Sequence, residues 1–361
     1  MTSETAPRRF LVLDGIGGVP LGREIAECLR AEGHVAAHFD CLGPAPRPLY
    51  GARSSCAKVV GRLSGMEFNC LPRLRLKELY SVFTTTMPTH ILVIGFIYKF
   101  FDLAELRRLA DEHQATLVLY DTDSCNLFAR RREFVYFIER ELPIYDRVFS
   151  FSRVTTEFFV RTRGLDAQTL PFAANPIVLP DTPEKDIDAL FVGSGDLRRI
   201  FLLEAIRERV TIFGNRWQRH RPLISRALWA RITDRPVWGE ELHRLLARAK
   251  IVLNITRSDF HGAETGVNLR VFEAVAAGAF LLTDHCDEIG ELFRVGEEIE
   301  TCRSSRELAD KTRFYLKNDA KREAIARRGH ARFLENHTWR ARIRQMLAHL
   351  EQMPDNSDRT P

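Results

Sequence analysis

The chain has no apolar run that approaches the roughly 20 residues a membrane-spanning helix needs; the longest, such as Ile91 to Ile97, are far shorter. Its start, MTSETAPRRFLVLDGIGG, lacks the apolar core and small-residue cleavage site of a secretory leader, so a cytoplasmic location is expected. There is no C-x-x-C pair: Cys28, Cys41, Cys56, Cys70, Cys125, Cys286 and Cys302 are odd in number and scattered. His285 beside Cys286 does not make a metal cluster, so reduced thiols and no bound metal are expected. No repeat of fixed period is visible. With 45% hydrophobic and 28% charged residues, disorder and collagen-like architecture are excluded.

The 361 residues suit two domains of similar size. Lysine and arginine number 53 against 48 acids, an excess too small to imply a partner. Its distribution is uneven, because ten arginines and only four acids lie between Asp196 and Arg235. Such a segment suits a solvated face, a polyanion, an acidic membrane surface or a phosphorylated small molecule.

Phe10 to Leu13 reads as a buried strand, followed by Gly15, Gly17 and Gly18, a helix over Arg23 to Glu32, and a second strand from His34 to Phe39. Residues Cys41 to Tyr80 show no clean period and read as an insertion. Strands are expected at His90 to Ile94, Thr116 to Tyr120 and Arg147 to Phe151, separated by helices over Asp102 to Glu112 and Phe134 to Glu141. This alternation predicts a parallel sheet covered by helices on both faces.

Pro171, Pro176, Pro180 and Pro183 mark a linker. A second series follows: strands at Ala189 to Val192, Val210 to Phe213, Ile251 to Ile255 and Phe280 to Thr283, with helices over Arg198 to Arg207, Glu240 to Ala249 and Leu269 to Ala277. The expected class is α/β, two facing Rossmann-like, doubly wound parallel-sheet domains. Residues 1–172 form the first and 187–334 the second, with 173–186 linking them. A helix over 335–353 is expected to pack back on the first domain, and 354–361 to be a disordered tail.

Two loops suit a phosphate. Gly17 and Gly18 sit between strand and helix, where backbone N–H groups and the helix dipole favour an anion. A dinucleotide fingerprint would need a third glycine where Pro20 stands, although Asp40 after the second strand suits an NAD ribose. The denser constellation is Leu253 to Asp284. There Asn268 is placed to cap a helix that presents N–H groups to a diphosphate, Arg270 adds a charge-assisted bond, and Glu273 can take two ribose hydroxyls or face solvent.

The run NLRVFEAVAAGAFLLTD, with Glu291-Leu-Phe, Gly296-Glu-Glu-Ile299 and ELADKTRFYLKNDAKREAIARRGHARFLENHTWRAR, resembles the C-terminal domain of CgeB-like, spore-maturation type glycosyltransferases. These are related to glycosyltransferase family 4 and share the GT-B fold. The resemblance continues upstream through DALFVGSGDLRR, VTIFGNRW and VWGEELHRLLARAKIVLNI, and more loosely to VLYDTDS and FSRVTTEFF.

The resemblance implies transfer of a sugar from a nucleotide diphosphate sugar, held mainly by the second domain, to an acceptor held mainly by the first, with retention of configuration and without a metal or other cofactor. Glu273 matches the second, ribose-holding glutamate of the family 4 E-x7-E motif. The first would fall at Thr265, whereas the nearest acid is Glu264. Arg198 or Arg199, after Gly193-Ser194-Gly195, would stabilise the departing diphosphate, the other lying at the surface. Phe213, Gly214, Trp238 and Gly239 would border the base at strand ends. Gly266, Val267, Asn268 and Leu269 would line the donor.

A base for the acceptor proton, where one is needed, would be His261 or Asp123. Asp121-Thr122-Asp123 looks like the D-x-D of a metal-using fold but precedes the donor constellation, so Asp121 and Asp123 are read as acceptor-facing. The aromatic patch Phe96, Tyr98, Phe100 and Phe101 would touch a lipid-linked acceptor at the inner membrane face; a glycan or protein acceptor is equally compatible. A catalytically inactive sugar-nucleotide-binding protein and a sugar-nucleotide epimerase are the alternatives. No nucleic-acid partner is expected, because strands and helices interrupt the arginine-rich stretch.

Overall fold

The computed structural model describes residues 7–17, 19–63, 70–123, 132–181 and 183–353. Gly18 and the tail beyond residue 353 lie outside them. The chain divides into two compact units, one of residues 1–171 with 343–361 and the other of residues 172–342.

The first unit runs β1 (Arg9–Asp14), α1 (Leu21–Ala31), β2 (Val35–Asp40), α2 (Tyr50–Leu63), α3 (Lys77–Thr86), β3 (His90–Ile94), α4 (Leu103–Glu112), β4 (Thr116–Asp121), α5 (Arg132–Tyr136), β5 (Arg147–Ser150), α6 (Arg153–Arg163) and β6 (Ala167–Thr169). The six strands form one parallel sheet in the order β2-β1-β3-β4-β5-β6. The central strands are apolar on both faces because helices cover both, and β4 is buried at every position. Polar caps set the helix starts: Asp102 accepts from Glu105 N–H and Ser152 from Thr155 N–H. Gly164, with φ +63°, ends α6.

Two expectations are corrected here. The segment Cys41 to Tyr80 holds α2 and the start of α3, the latter buried through Leu79 and Phe83. Phe134 to Glu141 is not one α-helix, since α5 passes into a π-helical turn at Phe137–Glu141 and a 3-10 turn at Leu142–Ile144. Pro143 cannot continue an α ladder, and the Glu141 carboxylate is drawn inward to accept Ile97 N–H at 3.0 Å and Tyr98 N–H at 2.9 Å.

The second unit runs β7 (Ile187–Val192), α7 (Leu197–Glu204), β8 (Val210–Phe213), α8 (Arg226–Trp229), β9 (Ile232–Thr233), α9 (Gly239–Arg248), β10 (Ala249–Asn254), α10 (Ser258–Gly262), α11 (Leu269–Ala276), β11 (Leu281–Asp284), α12 (Asp287–Leu292), β12 (Glu300–Cys302), α13 (Ser305–Lys317), α14 (Asp319–Asn336) and α15 (Trp339–Glu351). Its strands are also all parallel, in the order β12-β11-β10-β7-β8-β9. The chain works outward from β7 through β8 to β9, then returns to place β10 on the other side. β7 and β10 therefore flank a topological switch point, the place where open α/β sheets bind their ligands.

The helix expected over 335–353 is broken at His337 and Thr338, where Thr338 bridges to Ala174. Beyond residue 342, α15 belongs to the first unit: Arg8 donates to Leu347 O, Arg147 to His349 O and Arg344 to Glu32. No described helix is long and apolar enough to cross a membrane.

Candidate functional site

The carboxyl edge of the second sheet gathers three loops. The one after β7 carries Gly193, Ser194 and Gly195, and is welded to the end of β8. Gly193 N–H donates to Phe213 O, Trp217 Nε1 to Gly193 O, and Gly195 N–H to Asn215 O. Gly214 has φ +151°, and a Cβ there would stand 1.9 Å from Gly193 O, so only glycine fits. Phe213 ends β8 with the Arg235 guanidinium 5.8 Å from its ring. Trp238 and Gly239 are not at a strand end, as expected, but at the start of α9, where Trp238 is half exposed and Gly239 has φ +54°.

Neither arginine of the pair at 198 and 199 is at the surface, and neither is a free cation. Arg198 makes a two-pronged bond to Asp284 at the end of β11, Nη1 to Oδ2 at 2.7 Å and Nη2 to Oδ1 at 2.9 Å, and donates to Thr256 O at 3.0 Å. Asp284 also accepts Thr256 N–H at 2.6 Å. Arg199 is buried, donating to Ile255 O at 2.8 Å and Ser194 O at 2.9 Å. Burial, with Arg257 nearby, pulls its pKa down to about 10, so it stays charged at neutral pH. The start of α7 is likewise occupied, because Asp196 accepts Arg198 and Arg199 N–H and the Ser258 hydroxyl. These arginines pin the β7 and β10 loops together. Arg257, which the sequence did not single out, is the more open cation: it stands at the N-cap position of α10 without a side-chain capping bond, lies 4.8 Å from the Phe260 ring and 3.8 Å from Asp259, and keeps 32% of its side chain exposed.

The second cluster surrounds the start of α11. Asn268 caps the helix as expected, accepting Arg270 N–H at 3.0 Å, and donates to Asn254 Oδ1 at 3.0 Å; Asn254 donates in turn to Thr283 Oγ1 at 2.9 Å. This amide chain ties the helix start to the ends of β10 and β11. One turn in, Arg270 Nη1 is 2.6 Å from Glu273 Oε2, with only 12% and 17% of their side chains exposed. Glu273 is thus not solvent-facing. Beyond this ion contact, Arg270 Nε is buried without a hydrogen-bond partner, and among the described residues the Glu273 carboxylate has its ion contact with Arg270 alone. Burial raises the pKa of Glu273 and Arg270 opposes that shift. A half-buried cation and acid paired only with each other suit a polar ligand better than a packing role.

Glu264 is exposed, in a left-handed conformation with φ +57°. Eight residues before Glu273, the buried Thr265 instead donates to Glu288 Oε2 at 2.6 Å. Glu288, at the start of α12, thus puts a carboxylate beside that position, and no local pattern could have announced it. Gly266 packs against Thr256, whose Oγ1 would be 2.8 Å from an added Cβ. Val267 is buried, Leu269 half-buried, and His261 exposed on α10.

In the first unit the expected residues do not assemble. Gly17 is exposed, but the start of α1 is already taken by an anion: Asp14 accepts Gly22 N–H at 3.1 Å and Ile16 N–H at 3.0 Å, and its Oδ2 lies 3.2 Å from His38 Nε2. A phosphate there would meet a fixed carboxylate. Asp40 accepts from Leu42 N–H. Asp121 is 1% exposed and holds Ser150 Oγ at 2.9 Å and Asp123 N–H at 3.2 Å, so it ties strand ends together rather than facing an acceptor; Asp123 is exposed. Tyr98, Phe100 and Phe101 are buried, and Phe96 packs edge-on against Phe137. These aromatics form core, not a membrane-facing patch.

Residues 198–348 match the family described as Glycosyl transferase-like. No curated protein sequence matches the chain. Among solved structures, the chain is similar to sucrose-phosphate synthase from Thermosynechococcus elongatus, at 14% identity, TM-score 0.66, covering 96% of this chain and 99% of that one. It is also similar to Anabaena HepE in complex with UDP and glucose, at 13% identity, TM-score 0.62, covering 96% and 100%. A glycosyltransferase from Rickettsia africae aligns at 9% identity, TM-score 0.56, covering 99% and 100%. The fold is therefore that of the GT-B glycosyltransferases, α/β with two Rossmann-like parallel-sheet units, and its second unit carries a glycosyl transferase-like domain.

Proposed function

We propose that the chain is a glycosyltransferase that takes its sugar from a nucleoside diphosphate sugar held at the carboxyl edge of the second sheet. The observation that carries this reading is the half-buried Arg270–Glu273 pair, which one turn inside a capped helix start has ion contact only within itself among the described residues and leaves Arg270 Nε without a hydrogen-bond partner. In this reading Glu273 accepts the ribose hydroxyls. Arg270, Arg257 and the backbone at Gly266 to Leu269 meet the diphosphate, so the transfer needs no divalent cation. Arg198 and Arg199 act as scaffold, and Glu288, held by Thr265, stands beside the donor sugar. In this reading the configuration is retained, the departing phosphate taking the acceptor proton. The acceptor is a glycan, a lipid-linked saccharide or a protein.

The test is UDP binding by calorimetry, UDP being the nucleotide in the Anabaena HepE complex. Glu273→Ala is expected to weaken UDP about tenfold, the worth of hydrogen bonds to a charged acceptor. Because the substitution also bares Arg270, 2′,3′-dideoxy-UDP supplies the control. It should bind the wild type more weakly than UDP does, and the variant no differently from UDP. Equal affinity of both ligands for the wild type would remove the ribose assignment.

A further inference from the structure

The exposed face of α7 is apolar where a soluble helix is ordinarily polar. Leu197 and Phe201, four residues apart and so on one side of the helix, are 59% and 69% exposed. Leu223, also 59% exposed, ends the 3-10 helix Trp217–Leu223, two residues before Ser225. Glu204, one turn beyond Phe201, accepts Ser225 N–H at 2.8 Å and Ser225 Oγ at 2.9 Å, which clamps the turn after Leu223 to the end of α7. At the other end of the helix the backbone at Arg216 packs on Gly195, two residues before Leu197, closely enough that a Cβ on Gly195 would meet Arg216 O at 2.9 Å.

This apolar ridge is framed by unpaired positive charge. Arg216, Arg219 and Arg226 are exposed and form no ion pair among the described residues. Two acids of the same stretch are spent on internal bonds: Glu204 on Ser225, and Asp234 on the Trp217 and Gln218 N–H groups. Of the ten arginines in the stretch Asp196 to Arg235, these three are thus left as exposed, unpaired guanidinium groups around the apolar side chains.

We propose that this face of the second unit docks on an anionic lipid bilayer, with Leu197, Phe201 and Leu223 entering the acyl boundary and Arg216, Arg219 and Arg226 at the level of the phosphate headgroups. Charge complementarity selects an anionic surface. Two leucines and a phenylalanine at the centre select a bilayer over a nucleic acid, whose phosphates would leave the aliphatic side chains in water. The inference is independent of the transfer reaction, since binding is read without substrate.

The test is flotation of the full chain with vesicles of phosphatidylcholine alone or with about one third phosphatidylglycerol, in physiological salt. The chain is expected to float with the anionic vesicles and not with the neutral ones. Phe201→Ser should weaken partitioning about tenfold, and Arg216→Gln and Arg226→Gln about fivefold each. These side chains are exposed, so circular dichroism and melting temperature should be unchanged in every variant. Absence of anionic-vesicle binding would overturn the proposal, as would binding that Phe201→Ser leaves intact. Tighter binding to a short single-stranded RNA than to vesicles, unaffected by Phe201→Ser, would overturn it in favour of a polyanion surface.

Discussion

Asp284→Ala is expected to lower the stability of the second unit by about 3 kcal/mol, read as lost hydrogen-exchange protection in β10 and β11. The carboxylate does two things at once. It neutralises Arg198 through two short bonds and satisfies the buried N–H of Thr256. Removing it strands a cation that is 19% exposed and leaves a backbone donor unpaired. Partial access to water keeps the cost at the lower end for a broken buried pair. Asp284→Asn retains an acceptor and should cost about 1–2 kcal/mol. A loss below about 1 kcal/mol in Asp284→Ala would mean that Arg198 finds water and the pair secures nothing.

The same network decides how the β10 loop presents itself to a nucleotide. Arg198 holds Thr256 O and Asp284 holds Thr256 N–H, so the residue before Arg257 is gripped on both its backbone groups. Loosening that grip misplaces Arg257, and UDP affinity should fall with stability in Asp284→Ala. Arg257→Gln should reduce affinity without destabilising the unit, because among the described residues its side chain is seen in a 3.8 Å contact with Asp259 and a ring contact with Phe260.

The main frame was legible because a strand buried on both faces must be apolar throughout, and such runs stand out from amphipathic helices. His90–Ile94 is legible to the residue for that reason, and Val210–Phe213 is legible as well although its residues alternate between buried and half-buried. The short strands Ala167–Thr169, Ile232–Thr233 and Glu300–Cys302 were missed, since two or three residues cannot display a period. At the candidate site, Asn268 was visible as a cap and Glu273 as an acid on a helix lined by small residues. The electrostatic roles of Arg198 and Arg199 were not, because their partners Asp284, Thr256 and Ile255 arrive from strands more than fifty residues away. Asp14 was passed over for a similar reason. As the last residue of β1 it reads as strand punctuation, and only the fold brings Gly22 and His38 to its carboxylate.

Glu141→Leu is expected to cost about 4 kcal/mol at pH 5 and much less at pH 8. The side chain is wholly buried and serves three donors, Ile97 N–H, Tyr98 N–H and the Tyr145 hydroxyl at 2.7 Å. Leucine would leave all three unpaired in the core beneath the turn that follows β3. The pH dependence follows from burial, which raises the carboxyl from 4.5 to about 7 against the opposing pull of those donors. A folded-state pKa above the unfolded value makes the contribution complete below pH 4.5, where the group is protonated in both states. As pH rises the unfolded chain ionises first, so the native advantage drains away and levels off above about pH 7, a loss of roughly 3 kcal/mol. Urea unfolding of wild type and variant across pH 5 to 8 checks this. A cost independent of pH would show that the three donors hold the carboxylate ionised throughout, and that hydrogen bonding, not desolvation, governs this buried acid.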